Sequence, residues 1–587
     1  MNTCYSNEKN LQILLSLMKA HSVRRVVISP GGTNICFVGS VQQDPDFELY
    51  SCVDERSAAY MACGIAAETG EPVAISCTGA TAARNYIPAL TEAYYRKLPV
   101  LAITSTRPIE EIGHHIPQVT DRTQPLRDIV NTSVYLPEVR SEADEWNCTV
   151  CANKALLELR HRGGGPVHIN LMTTYSEDFS VKKLPEARVI RRAEYGDALP
   201  DIPQGKTAIF AGAHLTWDKR LTDAVDTFCE RYNAAVICDH TSNYKGRYGI
   251  MGSLILNQIQ CPTARRRVDT LIHIGEISGA YMNIYPQHVW RVNPDGELRD
   301  TFKKLSWVFE LQEVDFFEAM NRKRPDGAKD VSNYQSLRED YDRVLELFKQ
   351  SEPKFPFCNT WMAWQMSRRL PKNAVLHLGI LNSLRNWGYF EIPAEVCGYS
   401  NVGGFGIDGC VSSLVGASLV RPDRPYIGIV GDLAFFYDMN ALGNRHIGPN
   451  VRLMVINNGM GGEFKLRQTL STRAGMGEDT DTFIAAAGHY GGKSPELLKH
   501  YAQDLGFTYL CARSKAEFLK ALDTFLDPKP AGRPMFFEVF TDVNDDSEGV
   551  SMLRDLEENL ASSAKQTVKG ILGENTVRQL KKIIKGK

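Results

Sequence analysis

The stretch GDLAFFYDMNALGNRHIGPNVRLMVINN, residues 431–458, places an acid and twin asparagines at the ends of two strand-like runs. The first run, YIGIVGD, turns at Gly431 and delivers Asp432, and the second, VRLMVINN, ends at Asn457 and Asn458. In a parallel sheet the carboxyl ends of the strands face one crevice, where ligands bind. Carboxylate, amide and carbonyl oxygens are the donors that Mg²⁺ prefers, together with water and phosphate. The pair of strand ends therefore predicts a diphosphate-bearing ligand held through a divalent ion, although either turn alone is ordinary strand punctuation.

Alternating strand-like and helical runs extend outward from this stretch along most of the chain. Such alternation predicts α/β domains, each with a parallel sheet wrapped by helices. Polar, charged stretches near residues 175–205 and 321–343 separate three such series. We therefore predict α/β domains at residues 1–185, 186–345 and 346–550. The supporting runs are VRRVVISP, FELYSCVDE, PVAISCTG, LPVLAITST and GPVHINLMTT in the first domain, TAIFAGAHL, NAAVICDHT, VDTLIHIG, HVWRVNP and KLSWVFEL in the second, and AVLHLG, YIGIVGD, VRLMVINN and MFFEVFTD in the third.

Charge and composition limit the classes of partner. The 587 residues carry 67 basic and 69 acidic groups mixed along the sequence, so no broad field attracts nucleic acid or a membrane. No apolar run approaches the roughly 20 residues of a membrane span. The N-terminus, MNTCYSNEKNLQILLSLMKA, lacks the basic flank and cleavage site of a signal peptide. With 14 scattered cysteines, these features predict a cytoplasmic protein.

Two further features have simple interpretations. Cys148 and Cys151 form a CxxC pair inside a helical period, and since a zinc site would need a second pair, we predict two small core residues. The end of the chain, 551–587, includes the basic amphipathic segment SSAKQTVKGILGENTVRQLKKIIKGK. This segment predicts helices that either pack on the body of the protein or bind an anionic membrane or partner.

A second chemical element lies in the first domain, in CVDERSAAYMACGIA, residues 52–66. Glu55 follows a strand and opens a helix of small residues, where an acid is also favoured simply by the helix dipole. Together with the 26-residue spacing of Asp432 and Asn458, this element resembles the signature of thiamine-diphosphate enzymes. The resemblance implies three parallel-sheet domains of the pyruvate decarboxylase type, thiamine diphosphate with Mg²⁺ or Mn²⁺, and a hydrogen bond from Glu55 to the aminopyrimidine ring. It also implies a homodimer or homotetramer, because the class builds each site from the first domain of one subunit and the third domain of another.

Within that class the chain resembles the menaquinone-pathway synthases (SEPHCHC synthases), which join 2-oxoglutarate to isochorismate. Four stretches carry the resemblance: DERSAAYMACGIA, TSTRPIEEIGHHIPQVTD, SNVGGFGIDG and GDLAFFYDMNAL. It implies catalytic roles for Glu55, Arg107 and Gln118, to which we add His115 as a proton shuttle beside His114. The metal ligands implied are Asp432, Asn458 and the carbonyl of Met460. The cofactor-binding residues implied are Glu55, Thr78, Asn382, Ser383, Gly406, Ile407, Gly431, Asp432, Leu433, Ala434, Asn458, Met460 and Gly461, with Ile407 supporting the bent cofactor.

The chain departs from that family at several substrate-binding positions. SPGGTN has Gly32 and Thr33 where the family has a serine–arginine pair, and Val402 and Trp387 replace two further arginines. A basic pair expected in the second domain is missing from GEISGAYMNIY. Each lost charge-assisted bond costs about 1.5–3 kcal/mol, so we expect a substrate other than the family's. The predicted substrate residues are Gly32, Thr33, Arg107, Arg385, Trp387 and Phe464, in a more aromatic pocket that includes Tyr389, Phe390 and Phe405.

The sequence therefore predicts a carboligase that uses thiamine diphosphate and Mg²⁺. We expect it to decarboxylate a 2-oxo acid and to transfer the acyl-anion equivalent to an acceptor. Three alternatives stay open: a 2-oxo acid decarboxylase that releases an aldehyde, an acetolactate-synthase-like transfer to a keto-sugar, and a cofactor-binding subunit without catalysis. Intact Glu55 argues against the last alternative.

Overall fold

The computed structural model describes residues 4–215, 217–280, 282–325, 330–489, 494–529 and 532–557. They form two compact units. The first comprises the chain up to Ala198 together with Asp295–Glu310, and the second comprises Leu199–Pro294 and the chain from Leu311 onward. None of the described helices is long and apolar enough to cross a membrane.

The first unit is built on a six-stranded parallel sheet with strand order β2-β1-β3-β4-β6-β5. Its strands are β1 Arg25–Ile28, β2 Glu48–Ser51, β3 Val73–Cys77, β4 Val100–Thr106, β5 Thr132–Leu136 and β6 Val167–Met172. Its helices are α1 Lys9–Ala20, α2 Ile35–Val41, α3 Glu55–Thr69, α4 Thr81–Asn85, α5 Ile87–Arg96 and α6 Glu142–Glu158. A short strand, β7 Arg191–Ala193, lies in the same unit.

Continuous apolar sequence explains why this sheet is covered on both faces. Every residue of β3, β4 and β6 is buried, as is typical of parallel strands between two helix layers. The two resulting cores contain α1, α2 and α6 on one face and α3 and α5 on the other. Cys148 lies buried in the first of these cores with Cys151 packed against it, which confirms their interpretation as core residues.

The second unit contains two sheets, and the first of them has the parallel strand order β10-β9-β8-β11-β12. Its strands are β8 Thr207–Ala211, β9 Ala234–Cys238, β10 Gly249–Met251, β11 Arg267–Ile274 and β12 Tyr285–Val292. The following strand, β13 Leu305–Phe309, belongs to the first unit and pairs in parallel with β7. The helices of this part of the chain are α7 Lys219–Tyr232, α8 Gly252–Leu256, α9 Thr263–Arg266, α10 Glu313–Lys323 and α11 Ser332–Ser351.

The last sheet repeats the strand order of the first. Its order is β15-β14-β16-β17-β19-β18, again entirely parallel. Its strands are β14 Val375–Leu378, β15 Cys397–Tyr399, β16 Tyr426–Gly431, β17 Val451–Asn457, β18 Thr508–Ala512 and β19 Met535–Phe540. Its helices are α12 Asn359–Ser367, α13 Asn382–Trp387, α14 Cys410–Ser418, α15 Asp432–Asp438, α16 Leu470–Arg473, α17 Asp479–Phe483, α18 Leu497–Asp504, α19 Lys515–Phe525 and α20 Val543–Arg554.

The predicted α/β class is confirmed, and all fourteen strand-like runs of the sequence are strands. Five short strands were not predicted: β5, β7, β10, β15 and β18. Each predicted domain contains one group of parallel strands, and the domain boundaries themselves stay predictions. Helix α20 continues across the predicted boundary at residue 551. The basic segment 558–587 lies outside the described residues.

Candidate active site

Asp432 lies where the opening stretch predicted it, directly after β16 and at the first position of α15. The side chain is only 5% exposed. Its Oδ1 accepts a hydrogen bond from the Leu433 N–H at 2.8 Å, and its Oδ2 accepts one from the Gly459 N–H at 2.8 Å. Burial raises the pKa of Asp432 to about 7, with the nearby Asp546 acting in the same direction. In the described part of the chain no lysine, arginine or histidine pairs with this carboxylate, and backbone N–H groups are its hydrogen-bond donors.

Asn458 follows the end of β17 and contacts a second buried acid, Asp546. Its amide nitrogen donates to Asp546 Oδ2 at 3.1 Å, and its Oδ1 accepts from the Met460 N–H at 3.3 Å. Asp546 is held further by the Asn359 N–H at 2.8 Å and the Thr541 hydroxyl at 3.0 Å. The Asn458 side chain is therefore oriented by its neighbours, with the amide oxygen on the side of Met460.

One cavity of about 150 Å³ joins these groups. Ten of the predicted cofactor-binding residues line it, and they come from α13, β16, α15 and the loops before α14 and after β17. Gly431 and Gly459 leave open space where a side chain would stand, so a ligand can approach the backbone there. The predicted residues that line it are Asn382, Ser383, Ile407, Gly431, Asp432, Leu433, Ala434, Asn458, Met460 and Gly461.

The wall of the cavity also contains a strained leucine. Leu381 precedes α13 with φ 65° and ψ −122°, a conformation that costs a non-glycine residue about 1–3 kcal/mol. Such outliers persist where the surrounding structure imposes them, and they concentrate at ligand sites. The turn at Leu381 directs the start of α13, with Asn382 and Ser383, to the cavity.

Glu463 is a cavity residue that the sequence analysis missed. It lies in a short 3₁₀ turn, Gly462–Lys465, and forms an ion pair with Arg385, one of the predicted substrate residues. The Asn382 amide forms two hydrogen bonds with Glu463 when its nitrogen faces the Glu463 carboxylate. The amide nitrogen donates to Glu463 Oε2 at 2.9 Å, and the amide oxygen accepts from the Glu463 N–H at 3.1 Å. Burial raises the pKa of Glu463, and the adjacent Arg385 opposes that shift. Arg385 thus already has a carboxylate partner within its own chain.

Glu55 begins α3 in the first unit. Asp54 caps the helix by accepting the Ser57 N–H at 2.8 Å, and Gly70 ends it in a left-handed conformation. The Glu55 carboxylate is partly exposed, and its Oε2 accepts a hydrogen bond from the Asn85 amide at 3.1 Å. This single contact leaves Oε1 available to a ligand.

Thr78 and Thr33, from two loops that follow β3 and β1, meet at the same edge of the first sheet. Their hydroxyls are hydrogen-bonded to each other, and the Gly79 N–H donates to Thr33 Oγ1 at 3.1 Å. A side chain at Gly31 would collide with Thr78, whereas Gly32 faces open space. Thr33 is therefore buried and links the two loops through hydrogen bonds. Of the two predicted substrate residues Gly32 and Thr33, Gly32 is the one exposed to solvent.

Arg107, His115 and Gln118 lie along one loop after β4. Arg107 holds Glu111 with two hydrogen bonds, Nε–Oε2 at 2.6 Å and Nη2–Oε1 at 3.1 Å, and this pairing raises the pKa of Arg107. His115 and Gln118 are exposed, with φ values of 57° and 64°. The loop therefore presents these two side chains at the surface of the first unit rather than in its core.

The remaining predicted residues occupy different environments. Trp387 is fully buried at the end of α13, where its carbonyl accepts a hydrogen bond from the His240 imidazole at 2.8 Å, and it does not line the cavity. Phe464 lines the cavity and is 39% exposed. Gly406 lies beside Ile407 in the loop before α14, outside the cavity wall.

Two family models match the chain, at regions that hold most of these residues but not those of α13. The N-terminal TPP binding domain of thiamine pyrophosphate enzymes matches residues 9–125, and the C-terminal TPP binding domain matches residues 393–539. Thiamine pyrophosphate is the same compound as thiamine diphosphate. The chain is thus a thiamine-diphosphate-dependent enzyme that forms or cleaves carbon–carbon bonds.

Relatives identify the branch of this class. The 2-succinyl-5-enolpyruvyl-6-hydroxy-3-cyclohexene-1-carboxylate synthase of Bacteroides thetaiotaomicron is 30% identical over 572 residues, covering 92% of this chain and 98% of the relative. The enzyme of the same name from Phocaeicola vulgatus is 31% identical over 577 residues, covering 92% and 97%. The chain belongs to this family of thiamine-diphosphate-dependent carboligases.

A solved structure also aligns with the chain. The thiamine diphosphate-dependent 4-hydroxybenzoylformate decarboxylase of Rhodococcus jostii RHA1 covers 91% of this chain and 99% of its own, with a TM-score of 0.40 and 16% identity. At that level of similarity the match carries no information on substrate.

Proposed function

We propose that the protein is a Mg²⁺-dependent carboligase that decarboxylates a 2-oxo acid and joins the acyl-anion equivalent to an acceptor other than isochorismate. One observation supports the proposal above the others. A single cavity combines Asp432, Asn458 and Met460, the oxygen donors suited to Mg²⁺, with Ile407. Thr33, Trp387 and Val402 stand where the family has arginines. The loss of these positive charges favours a substrate that carries fewer negative charges than the substrates of the family.

The residues present fit a metal-bound diphosphate. Asp432 is a buried carboxylate without a cationic partner among the described residues, and metal coordination would supply the compensating charge. Asp432, the Asn458 amide oxygen and the Met460 carbonyl would hold the ion. Thiamine diphosphate, when bound, supplies the electron sink that decarboxylation of a 2-oxo acid requires.

Residues of the first unit would manage protons and the substrate. Glu55 would hold a proton between its free oxygen and the aminopyrimidine ring, while Asn85 fixes its other oxygen. Gln118 and His115 would face the reacting groups from the exposed loop, with His115 able to move a proton at an imidazole nitrogen. Arg107 would orient a substrate carboxylate, in competition with Glu111.

We propose further that the active form is a homodimer or homotetramer in the cytoplasm. Large apolar side chains are exposed on the first unit, including Val53 at 77% and Tyr95 at 68%. Such surface is typical of a contact with another subunit. All fourteen cysteines are free thiols, in keeping with a reducing compartment.

The test is product analysis with the loaded protein. We expect the protein, with thiamine diphosphate and Mg²⁺, to release CO₂ from a member of a 2-oxo acid panel and to form a ligated product when aldehyde, ketone or activated-alkene acceptors are added. Glu55→Gln should abolish release while leaving diphosphate binding intact. Release of aldehyde with every acceptor would make the protein a decarboxylase, and a ligated product only with keto-sugars would favour the acetolactate-synthase-like alternative. No CO₂ from any acid would refute the proposal.

A further inference from the structure

Among the described residues, the wall of the cavity around Asp432 contains acids and no base. Asp432 and Glu463 both line it, and none of the other described lining residues is a lysine or an arginine. The charge of Asp432 is accounted for by the proposed metal ion. The charge of Glu463 is balanced from behind the wall, by Arg385, which does not itself line the cavity.

The Glu463–Arg385 pair is buried and held in place. The two side chains are only 14% and 11% exposed. The Asn382 side chain contacts Glu463 from a second direction, and the backbone carbonyl of Asn382 accepts a hydrogen bond from the Asn386 amide at 2.8 Å. A paired, desolvated arginine exchanges partners only if the carboxylate that it leaves finds another cation.

We propose that the Glu463–Arg385 pair restricts the donor to 2-oxo acids whose side chain carries no carboxylate, the class that pyruvate represents and 2-oxoglutarate does not. This inference rests on the proposed function and names the substrate class of the same site. Glu463 lies next to Phe464 and pairs with Arg385, and both of these are predicted substrate residues. A second carboxylate on the donor would therefore meet Glu463, and the described wall offers it no lysine or arginine. It would have to take Arg385 from Glu463, which would leave one of the two carboxylates buried without a cationic partner.

Acetylphosphonate and succinylphosphonate test this selection without turnover. They mimic pyruvate and 2-oxoglutarate, with a phosphonate in place of the carboxylate that is lost as CO₂, and they differ by the distal carboxylate. Binding of each to the full-length protein loaded with thiamine diphosphate and Mg²⁺ is measured by calorimetry. We expect the wild type to bind acetylphosphonate at least about tenfold more tightly than succinylphosphonate, which is a difference of about 1.4 kcal/mol in binding free energy.

Variants then assign that preference to the ion pair. Glu463→Gln keeps the shape of the side chain and removes the carboxylate that pairs with Arg385, so we expect succinylphosphonate to bind at least about tenfold more tightly than to the wild type, with less than about a threefold change for acetylphosphonate. The double variant Glu463→Gln/Arg385→Gln should lose that gain. Asp340→Asn is the matched control, because it removes a partner of another buried arginine, Arg265, away from the cavity.

The outcomes separate the inference from the proposed function. Equal or tighter binding of succinylphosphonate by the wild type would overturn the inference and leave the function intact, and this comparison requires no variant to fold. A gain in Glu463→Gln that persists without Arg385 would also overturn it. Binding of neither phosphonate would overturn the inference, and CO₂ release from the 2-oxo acid panel would then decide the proposed function separately.

Discussion

Replacing Asp432 by asparagine separates the stability of the empty site from its affinity for the cofactor. The carboxylate is buried, and its pKa rises from 3.8 to about 7. At pH 8 without metal the folded protein therefore carries a charge that is more costly than in the unfolded chain, by about 4 kcal/mol at about 1.36 kcal/mol per pKa unit. Because the folded-state pKa is raised, this cost grows as the pH rises from 3.8 and is complete above about 7.

The neutral amide of the Asp432→Asn variant would remove that cost, but it would place an NH₂ group against one of two backbone N–H donors. Leaving such a donor unsatisfied costs about 1–3 kcal/mol. We therefore expect Asp432→Asn without metal to be about 1–3 kcal/mol more stable than the wild type at pH 8, as measured by urea denaturation. The same substitution removes the charged metal ligand and should weaken cofactor binding. We expect a loss of about 3–6 kcal/mol in binding free energy, which corresponds to roughly 10²–10⁴-fold weaker binding.

Asp438→Asn is the matched control for this experiment. Asp438 is buried at the other end of α15 and accepts from the Ser412 N–H and hydroxyl, both at 2.6 Å, outside the cavity. This variant should lose about 1–3 kcal/mol of stability and keep its affinity. Binding is followed by fluorescence titration with thiamine diphosphate at fixed Mg²⁺. An Asp432→Asn protein that binds within about twofold of the wild type would refute the assignment of Asp432 as the metal ligand.

Further predictions address the first unit. Gly31→Ala should lose about 1–3 kcal/mol in urea denaturation, because the new Cβ would stand 2.5 Å from the Thr78 Cβ, while Gly32→Ala, which meets nothing within 4 Å, should unfold like the wild type. Burial lowers the pKa of His168 to about 4, so its contribution to stability should fall by about 3 kcal/mol as pH drops from 6.5 to 4, and His168→Gln should show a correspondingly shallower pH dependence of unfolding. Light scattering of the loaded protein should give a mass of at least two chains, and an active monomer would contradict the proposed assembly.

Much of the fold was predictable because the buried strands of this chain are apolar runs with polar ends. β16 and β17 end at Gly431 and Asn457, so Asp432 and Asn458 were found from the sequence alone. Three of the unpredicted strands, β7, β10 and β15, have only three residues each. The other two, β5 and β18, lie at sheet edges and are only partly buried, so their apolar signal is weak.

The ion pair at the cavity could not be predicted in the same way. Glu463 and Arg385 are 78 residues apart, and Asn458 and Asp546 are 88 apart. No local pattern specifies such contacts, which depend on the order of the strands in the sheet. The sequence predicted that Arg385 contacts a substrate carboxylate, whereas its partner Glu463 became visible only when β14 and β17 were placed on either side of β16.

The central claim is that the loops after β16 and β17 clamp a diphosphate through a divalent ion. Calorimetric titration of the purified protein with thiamine diphosphate, with Mg²⁺ and after its removal by chelation, tests this most directly. We predict saturable binding of one cofactor per chain that is lost without the metal. No saturable heat in the presence of Mg²⁺ would contradict the account.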